Sequence, residues 1–447
     1  MPVSVHARMV RAVVEAMSGL PRQFWWLWTS TLINKLGAFV VTFLALYLTT
    51  ERGYSASYAG LVASLFGLGS AFASLVAGVL SDRIGRRPTL VAAQLGTALF
   101  TAVLGFTDGQ VAIAVVAFLV GFCNNATRPA TSAIIADIVP AEDRVRAFAL
   151  NYWAINIGFG LSAAAAGLIA THGYLTLFLL DALSTVVCAV VIFVRIPETR
   201  PDTPAVTADG PKARPTIGLG AVFRDGRFMA VVLLNLLLAL VAQQGSTTLA
   251  VDMGRAGITA TQYGLVIGLN GLLIVVLQIP LTRWMAGRDR TALLVASALF
   301  IGWGFGLTAL AGSSAWFYAF TVAVWTLGEI LNAPTMMGLV AELSPAEARG
   351  RYQGVYSLSW SLASFLGPAA GGVLLERAGS EVMWGACAVL GTVAAGGYVL
   401  LGRRPGAALA KSDVVGTGTA GTGTAGAGTV RVVAAETAEP ARAATGG

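Results

Sequence analysis

Apolar residues run along this chain in twelve long blocks divided by short polar turns. The blocks lie at about 24–50, 56–81, 88–107, 110–138, 147–171, 173–195, 228–251, 260–283, 291–311, 315–343, 352–376 and 382–402. Each can span ~30 Å of hydrocarbon at ~1.5 Å per residue. None alternates every second residue as a barrel strand would, and a backbone in lipid must satisfy its own hydrogen bonds. The pattern therefore predicts an all-α membrane protein with twelve transmembrane helices. Residues 1–23 lead into a full-length block, so the first span is expected to stay uncleaved.

The polar turns carry the charge. Of the 29 Lys and Arg, 24 fall at the start, in every second turn and in the tail; Arg52, Arg255 and Arg377 lie on the other side. Lys35 and Arg128 are inside spans. This bias predicts both termini in the cytoplasm of a multi-pass protein of the inner (plasma) membrane, and it assigns the net charge of +7 to the membrane face rather than to nucleic acid.

The pattern also repeats. ADIVPAEDRVR (136–146) and AELSPAEARGR (341–351) match at an offset of 205, Pro129 finds Pro334, and YAGLV (58–62) echoes QYGLV (262–266). Two six-helix units in the same orientation are expected, at 24–195 and 228–402. A short segment, 1–23, precedes them on the cytoplasmic side, and the polar, proline-bearing stretch 196–227 links them there. The glycine-threonine-alanine tail, 403–447, cannot bury a core and is expected to be disordered.

One turn is denser than its neighbours. GVLSDRIGRRPTL, between the second and third blocks, matches G-x-L-x-D-R-x-G-R-[RK], with Gly78, Leu80, Asp82, Arg83, Gly85, Arg86 and Arg87 in register. With the two six-helix repeats, this resembles the major facilitator superfamily, and over 24–402 the chain is similar to its drug:proton antiporter branch. The resemblance implies two six-helix bundles that rock about a midplane site, working as a monomer. It also implies that the turn is a cytoplasmic latch, Asp82 accepting from the N-terminal amides of a helix in the other half. Asp137 and Glu342, with Arg144 and Arg349 nearby, read as gate or latch residues too. The second-half counterpart, PLTRWMAGRDR, is degenerate. One antiporter marker is missing: the fifth span reads NIGFGLSAAAAGLIA without a proline, and GPAAGG (367–372) stands on the eleventh instead.

Composition narrows the chemistry. Only 11% of residues are charged, and the two histidines, His6 and His172, fall outside the long apolar runs. Cys123, Cys188 and Cys387 lie far apart in apolar runs and read as packing. No metal cluster, G-x-S-x-G or G-K phosphate loop is present, so neither an enzyme nor an ATP-driven pump is expected. That leaves an ion gradient, taken as the proton gradient, as the energy source, with no cofactor.

Four charges inside spans are then the first candidates: Lys35, Arg128, Asp181 and Glu329. Glu329, in TLGEILNAP, is the expected coupling acid, because a carboxyl removed from water can hold a proton and lose it when a cation or water arrives. Asp181 and Arg128 are secondary candidates, Arg128 because the resemblance places a membrane arginine on the fourth span. Lys35 opens an i, i+4 stripe with Phe39, Phe43 and Tyr47. That stripe and Asn151, Trp153, Gln243, Gln244, Asn270, Tyr356 and Trp360 are expected to line the central cavity. Such a lining suits a large, lipophilic, often cationic molecule. The sequence thus points to proton-coupled export of drug-like or secondary-metabolite compounds. Proton-coupled uptake of a sugar, peptide or metabolite is the alternative, and a membrane receptor the remote one.

Overall fold

The computed structural model describes residues 19–199 and 219–403, apart from 141–142 and 346–347. The described residues are almost entirely helical. In chain order α1 runs Arg22–Leu36 and resumes after a break as Phe39–Leu46, α2 is Ala56–Ile84, α3 Arg86–Phe106 and α4 Gln110–Ile138. Then come α5 (Arg144–Ile169), α6 (Tyr174–Arg195), and α7, which runs Gly226–Ala242 and resumes as Thr248–Arg255. α8 is Ala260–Met285, α9 Arg290–Gly306 and α10 Ala315–Leu343. The last stretch, Arg349–Gly402, is non-helical at Gly379 (φ +85°), which divides it into α11 (349–378) and α12 (380–402). The left-handed φ is one that glycine adopts without a Cβ penalty. Tyr352 bonds Asp225 and Gly402 packs on Thr291, so both ends of that stretch return to one side of the molecule.

Polar turn residues start the helices. Ser55, Asp225, Asp289 and Ser314 each accept from the amide three residues on, and Thr259 with Gln262 closes a reciprocal cap on α8. Among the described residues ten helical stretches are long and apolar enough to cross a membrane; dividing the last at Gly379 and counting beside them α10, which is not among the ten but is 29 residues long, makes the expected twelve. Most of the 196–227 linker and nearly all of the tail lie outside the described residues, although Leu219–Arg224 forms a short helix before α7.

Two bundles, α1–α6 and α7–α12, meet unevenly. At the end that carries the basic turns each bundle closes its own core. Phe24, Leu90, Ile134 and Ile192 pack in one; Phe228, Leu294, Met336 and Tyr398 pack in the other. At the opposite end a single buried cluster joins both, with Phe43 and Phe178 from the first bundle beside Tyr263, Phe305 and Trp384 from the second. Glycines let the backbones touch there. A Cβ at Gly271 of α8 would lie 2.6 Å from Gly160 Cα of α5, and one at Gly372 of α11 would lie 2.5 Å from the Ala56 carbonyl oxygen of α2. Gly160 and Gly167 of NIGFGLSAAAAGLIA and Gly372 of GPAAGG thus build two matching seams, α5 on α8 and α2 on α11.

Candidate functional site

The broken first helix defines the site in the first bundle. α1 stops at Leu36, and a Cβ at Gly37 would collide with Ser184 Oγ of α6, so the break sits hard against that helix. The resumed segment begins with unsatisfied amides, and the Asp181 carboxylate of α6 accepts from Val40 N at 3.0 Å, with the Phe39 amide beside it. Asp181 is buried and acts as a cap supplied by a neighbouring helix. Lys35, on the last turn before the break, is half-buried, with its Cβ against Gly158 of α5. It lies within electrostatic reach of both Asp181 and Arg128. Arg128, just before Pro129 inside α4, is exposed. No ion pair among the described residues includes Lys35 or Arg128.

The second bundle holds its acid differently. Glu329, in the middle of α10, accepts from Asn270 Nδ2 of α8 at 2.9 Å. The same amide reaches Thr326 Oγ1 at 3.0 Å, while that hydroxyl donates to the Val322 carbonyl. The Asn270 amide is therefore oriented by α10 itself. Tyr152, from α5 of the first bundle, is within electrostatic reach of Glu329. Glu329 is half-buried and joins no ion pair among the described residues.

The other expected cavity residues divide. Phe39, Phe43 and Tyr47 are buried in the cluster that joins the bundles: Phe43 meets the Tyr263 ring edge-on at 5.1 Å, and Tyr47 packs on Tyr174 and Phe178. In this conformation the stripe is packing. Gln244 is a buried clamp, donating to the Leu240 and Gly367 carbonyls and accepting from Thr248 Oγ1. Gln243 is half-buried, and its carbonyl accepts from Thr247. Tyr356 reaches Asn235 across α7, and Trp360 donates to the Tyr356 hydroxyl while staying 41% exposed. Asn151 and Trp153 are half-buried, and Asn151 Oδ1 finds no donor among the described residues.

At the basic end the dense turn binds its own bundle. Gly85 (φ +110°) starts α3, and Arg86 pairs with Asp137 at 3.2 Å. Arg87 lies over Phe193 and donates to its carbonyl. Glu198, just past α6, accepts from the backbone amides of both Arg86 and Arg87. In the second bundle Arg290 pairs with Glu342 in the same way. The degenerate turn therefore keeps the arginine that matters for this contact. Arg83 is exposed, and Arg144 donates to the Val139 carbonyl. Gly78 and the side chains of Asp82 and Arg349 lie outside the described residues.

The sequence reading passed over several functional candidates. Asp252 is buried at the end of α7 opposite the basic turns, one residue past the expected span, and accepts from Tyr318 Oη at 3.1 Å and Trp384 Nε1 at 3.0 Å. Glu376 of α11 accepts from Ser57 N at the start of α2 at 2.7 Å, a bond between bundles. Tyr263 to Thr42, Thr261 to Gly167 and Ala369 to Ser64 also cross, all at the end opposite the basic turns. An acid within a few residues of a span end was the available signal for both Asp252 and Glu376. Among the described residues no cluster of three or more His, Cys, Asp or Glu could hold a metal ion, and the three cysteines are free.

The chain as a whole is similar to known proteins. The chain is 25% identical over 372 residues to the multidrug resistance protein MdtH of Cronobacter sakazakii, covering 82% of this chain and 90% of that one. It is 24% identical over 359 residues to a Na(+), Li(+), K(+)/H(+) antiporter of Planococcus maritimus, covering 74% and 84%. Its fold matches a crystal structure of a POT family transporter in complex with 5-aminolevulinic acid, with a TM-score of 0.70 at 15% identity, covering 86% of this chain and 96% of that one. A sequence profile of the family matches residues 27–368 and 246–422, and with the twelve helices in two bundles this makes the chain a multi-pass membrane transporter of the Major Facilitator Superfamily.

Proposed function

We propose that the protein is a proton-coupled secondary transporter that exports drug-like or secondary-metabolite small molecules by alternating access. The observation that carries this reading is Glu329, a mid-helix carboxyl held by one side-chain amide and within electrostatic reach of Tyr152 of the other bundle. With no cation partner among the described residues, it can carry a proton in one arrangement of the bundles and release it in the other. Similarity to a multidrug resistance protein and to a cation/proton antiporter supports export by exchange.

The bias of basic residues puts both termini in the cytoplasm of the plasma membrane. On that assignment the separate cores face inward and the shared core seals the outside. Protonation of Glu329 from outside releases substrate, and deprotonation inside favours reloading. The transporter works as a monomer, without cofactor or nucleic acid, on the proton gradient alone.

The test is efflux of a lipophilic dye from liposomes under an imposed pH gradient, with Glu329→Gln beside the wild type. Gradient-driven movement that the variant loses supports the reading. Movement that ignores the gradient, or survives in the variant, overturns it. Uptake by symport, which the missing fifth-span proline leaves open, is recognised by net dye movement in the same direction as the proton.

A further inference from the structure

We infer that Glu376 is a latch on the outer end of the α2–α11 seam, a charged contact that holds the two bundles together there and must part when the outer face opens. This deepens the transport reading above, on which it rests for which face is outer.

α2 and α11 pair antiparallel in a regular register. Ser57, Gly60, Ser64 and Gly67 recur three or four residues apart, so they share one stripe of α2. Opposite them, in turn, stand Glu376, Gly372 with Pro368, Ala369 and Ser364 of α11. Glu376 accepts from Ser57 N at 2.7 Å, and Ser64 Oγ accepts from Ala369 N at 2.8 Å. A Cβ at Gly60 would strike the Pro368 carbonyl oxygen, and one at Gly67 would strike that of Ser364. Pro368 has no amide to offer Ser364, so the carbonyl under Gly67 is one that the proline frees.

The outermost contact differs in kind from the rest. Ser57 lies in the first turn of α2, where amides have no intrahelical partner, and its amide is served from the other bundle. Glu376 is exposed and forms no ion pair among the described residues. Its charge meets the positive end of α2, where a carboxylate is stabilised. Arg255, at the end of α7, donates to the carbonyl of the neighbouring Leu375 at 3.3 Å and ties that end of α11 to its own bundle. At the matching end of the α5–α8 seam the contact is neutral: Thr261 Oγ1 donates to the Gly167 carbonyl at 2.9 Å. A bond between bundles that exists in one arrangement and not in the other biases the equilibrium by its own strength. One charged contact at an exposed helix start is a modest bias, which suits a latch that opens in every cycle. With Glu376 released, the seam can part from the solvent side, before the buried contacts at Ser64 and Gly67.

The test follows maleimide labelling of Ala59→Cys, buried on α2 in the core that joins the bundles. It uses the full-length protein in nanodiscs, with Cys123, Cys188 and Cys387 replaced by serine. Ala163→Cys, buried in the same core on the α5–α8 seam, is the reference and reports that each variant is folded. Glu376→Gln is expected to raise the Ala59→Cys rate about two- to fivefold and to change the reference rate by less than about 1.5-fold. Glu376→Lys, which sets a cation on the same helix start, should raise the Ala59→Cys rate further. Ser57→Pro deletes the donor amide in a turn that tolerates proline, and should match Glu376→Gln. Combining Ser57→Pro with Glu376→Gln should add little, because both remove one bond.

Unchanged labelling in Glu376→Gln, equal rises at both positions, or additive effects of Ser57→Pro and Glu376→Gln overturn the latch. Dye movement under a pH gradient is measured in liposomes with the same proteins. Driven movement with unchanged labelling removes the latch and leaves the transport reading standing. The expected labelling pattern without driven movement keeps the latch and overturns the export reading.

Discussion

The two bundles each carry an acid inside a membrane helix, and they use it in different ways. In the first, Asp181 accepts from a backbone amide and holds together a helix that the chain has broken. In the second, Glu329 accepts from a side-chain amide on an unbroken helix. A carboxylate that caps backbone is needed in every state of the protein, because the orphan amides never go away. A carboxylate held only by Asn270 can change its protonation without unravelling a helix. Depth in a membrane helix is common to both acids; the identity of the donor is what separates them.

The largest effect should come from treating the two acids alike. Glu329→Gln is expected to cut gradient-driven transport at least about tenfold, while Asp181→Asn keeps most of it, since an amide oxygen still accepts from Val40. Side-by-side flux measurements in liposomes decide this, and equal losses would erase the contrast.

Next in size is the seam between bundles. Gly271→Val puts a Cβ against the Gly160 backbone, where no flexible side chain can give way. Transport should fall about tenfold or more, with residues of the α5–α8 seam newly open to thiol reagents in a cysteine-substituted background. Normal transport in this variant would mean that the seam need not close.

Asp181→Ala removes the cap altogether and should lower thermal stability by about 1–2 kcal/mol, a loss that Asp181→Asn should not share. Asn270→Ala is expected to cost about 1–2 kcal/mol by the same measurement, because its hydrogen bonds to Glu329 and Thr326 are both lost. The smallest effect belongs to Glu376→Gln at the start of α2, an exposed contact with about 0.3–1 kcal/mol at stake that added salt should shrink further.

Much of the fold was legible along the chain. The 205-residue offset predicted that Asp137 and Glu342 would be equivalent, and each does pair with an arginine at the start of the preceding helix. What the repeat did not reveal was which arginine. Arg86 and Arg290 sit in turns whose intervening residues have diverged, so string matching lost a correspondence that the paired geometry keeps. Glu198 was missed for a related reason: it lies beyond the last apolar residue of α6, where no hydrophobic period marks it, and reaches α3 only because the helices are neighbours. The stripe Phe39, Phe43, Tyr47 had the spacing of a cavity wall, but spacing fixes a helix face and says nothing of what that face meets. Here it meets α6 and α8.

The sequence by itself determined what the bilayer dictates: how many helices cross, where they turn, which end is basic and that the chain repeats. A backbone in hydrocarbon has few solutions, and each leaves a local mark in hydropathy or charge. Tertiary structure alone decided which charged groups inside the spans are already partnered. The break in α1 beside α6 occupies Asp181, the seam between bundles buries the aromatic stripe, and Lys35, Arg128 and Glu329 join no ion pair among the described residues. Pairing is a matter of distance between helices far apart in the chain, and no local pattern encodes it.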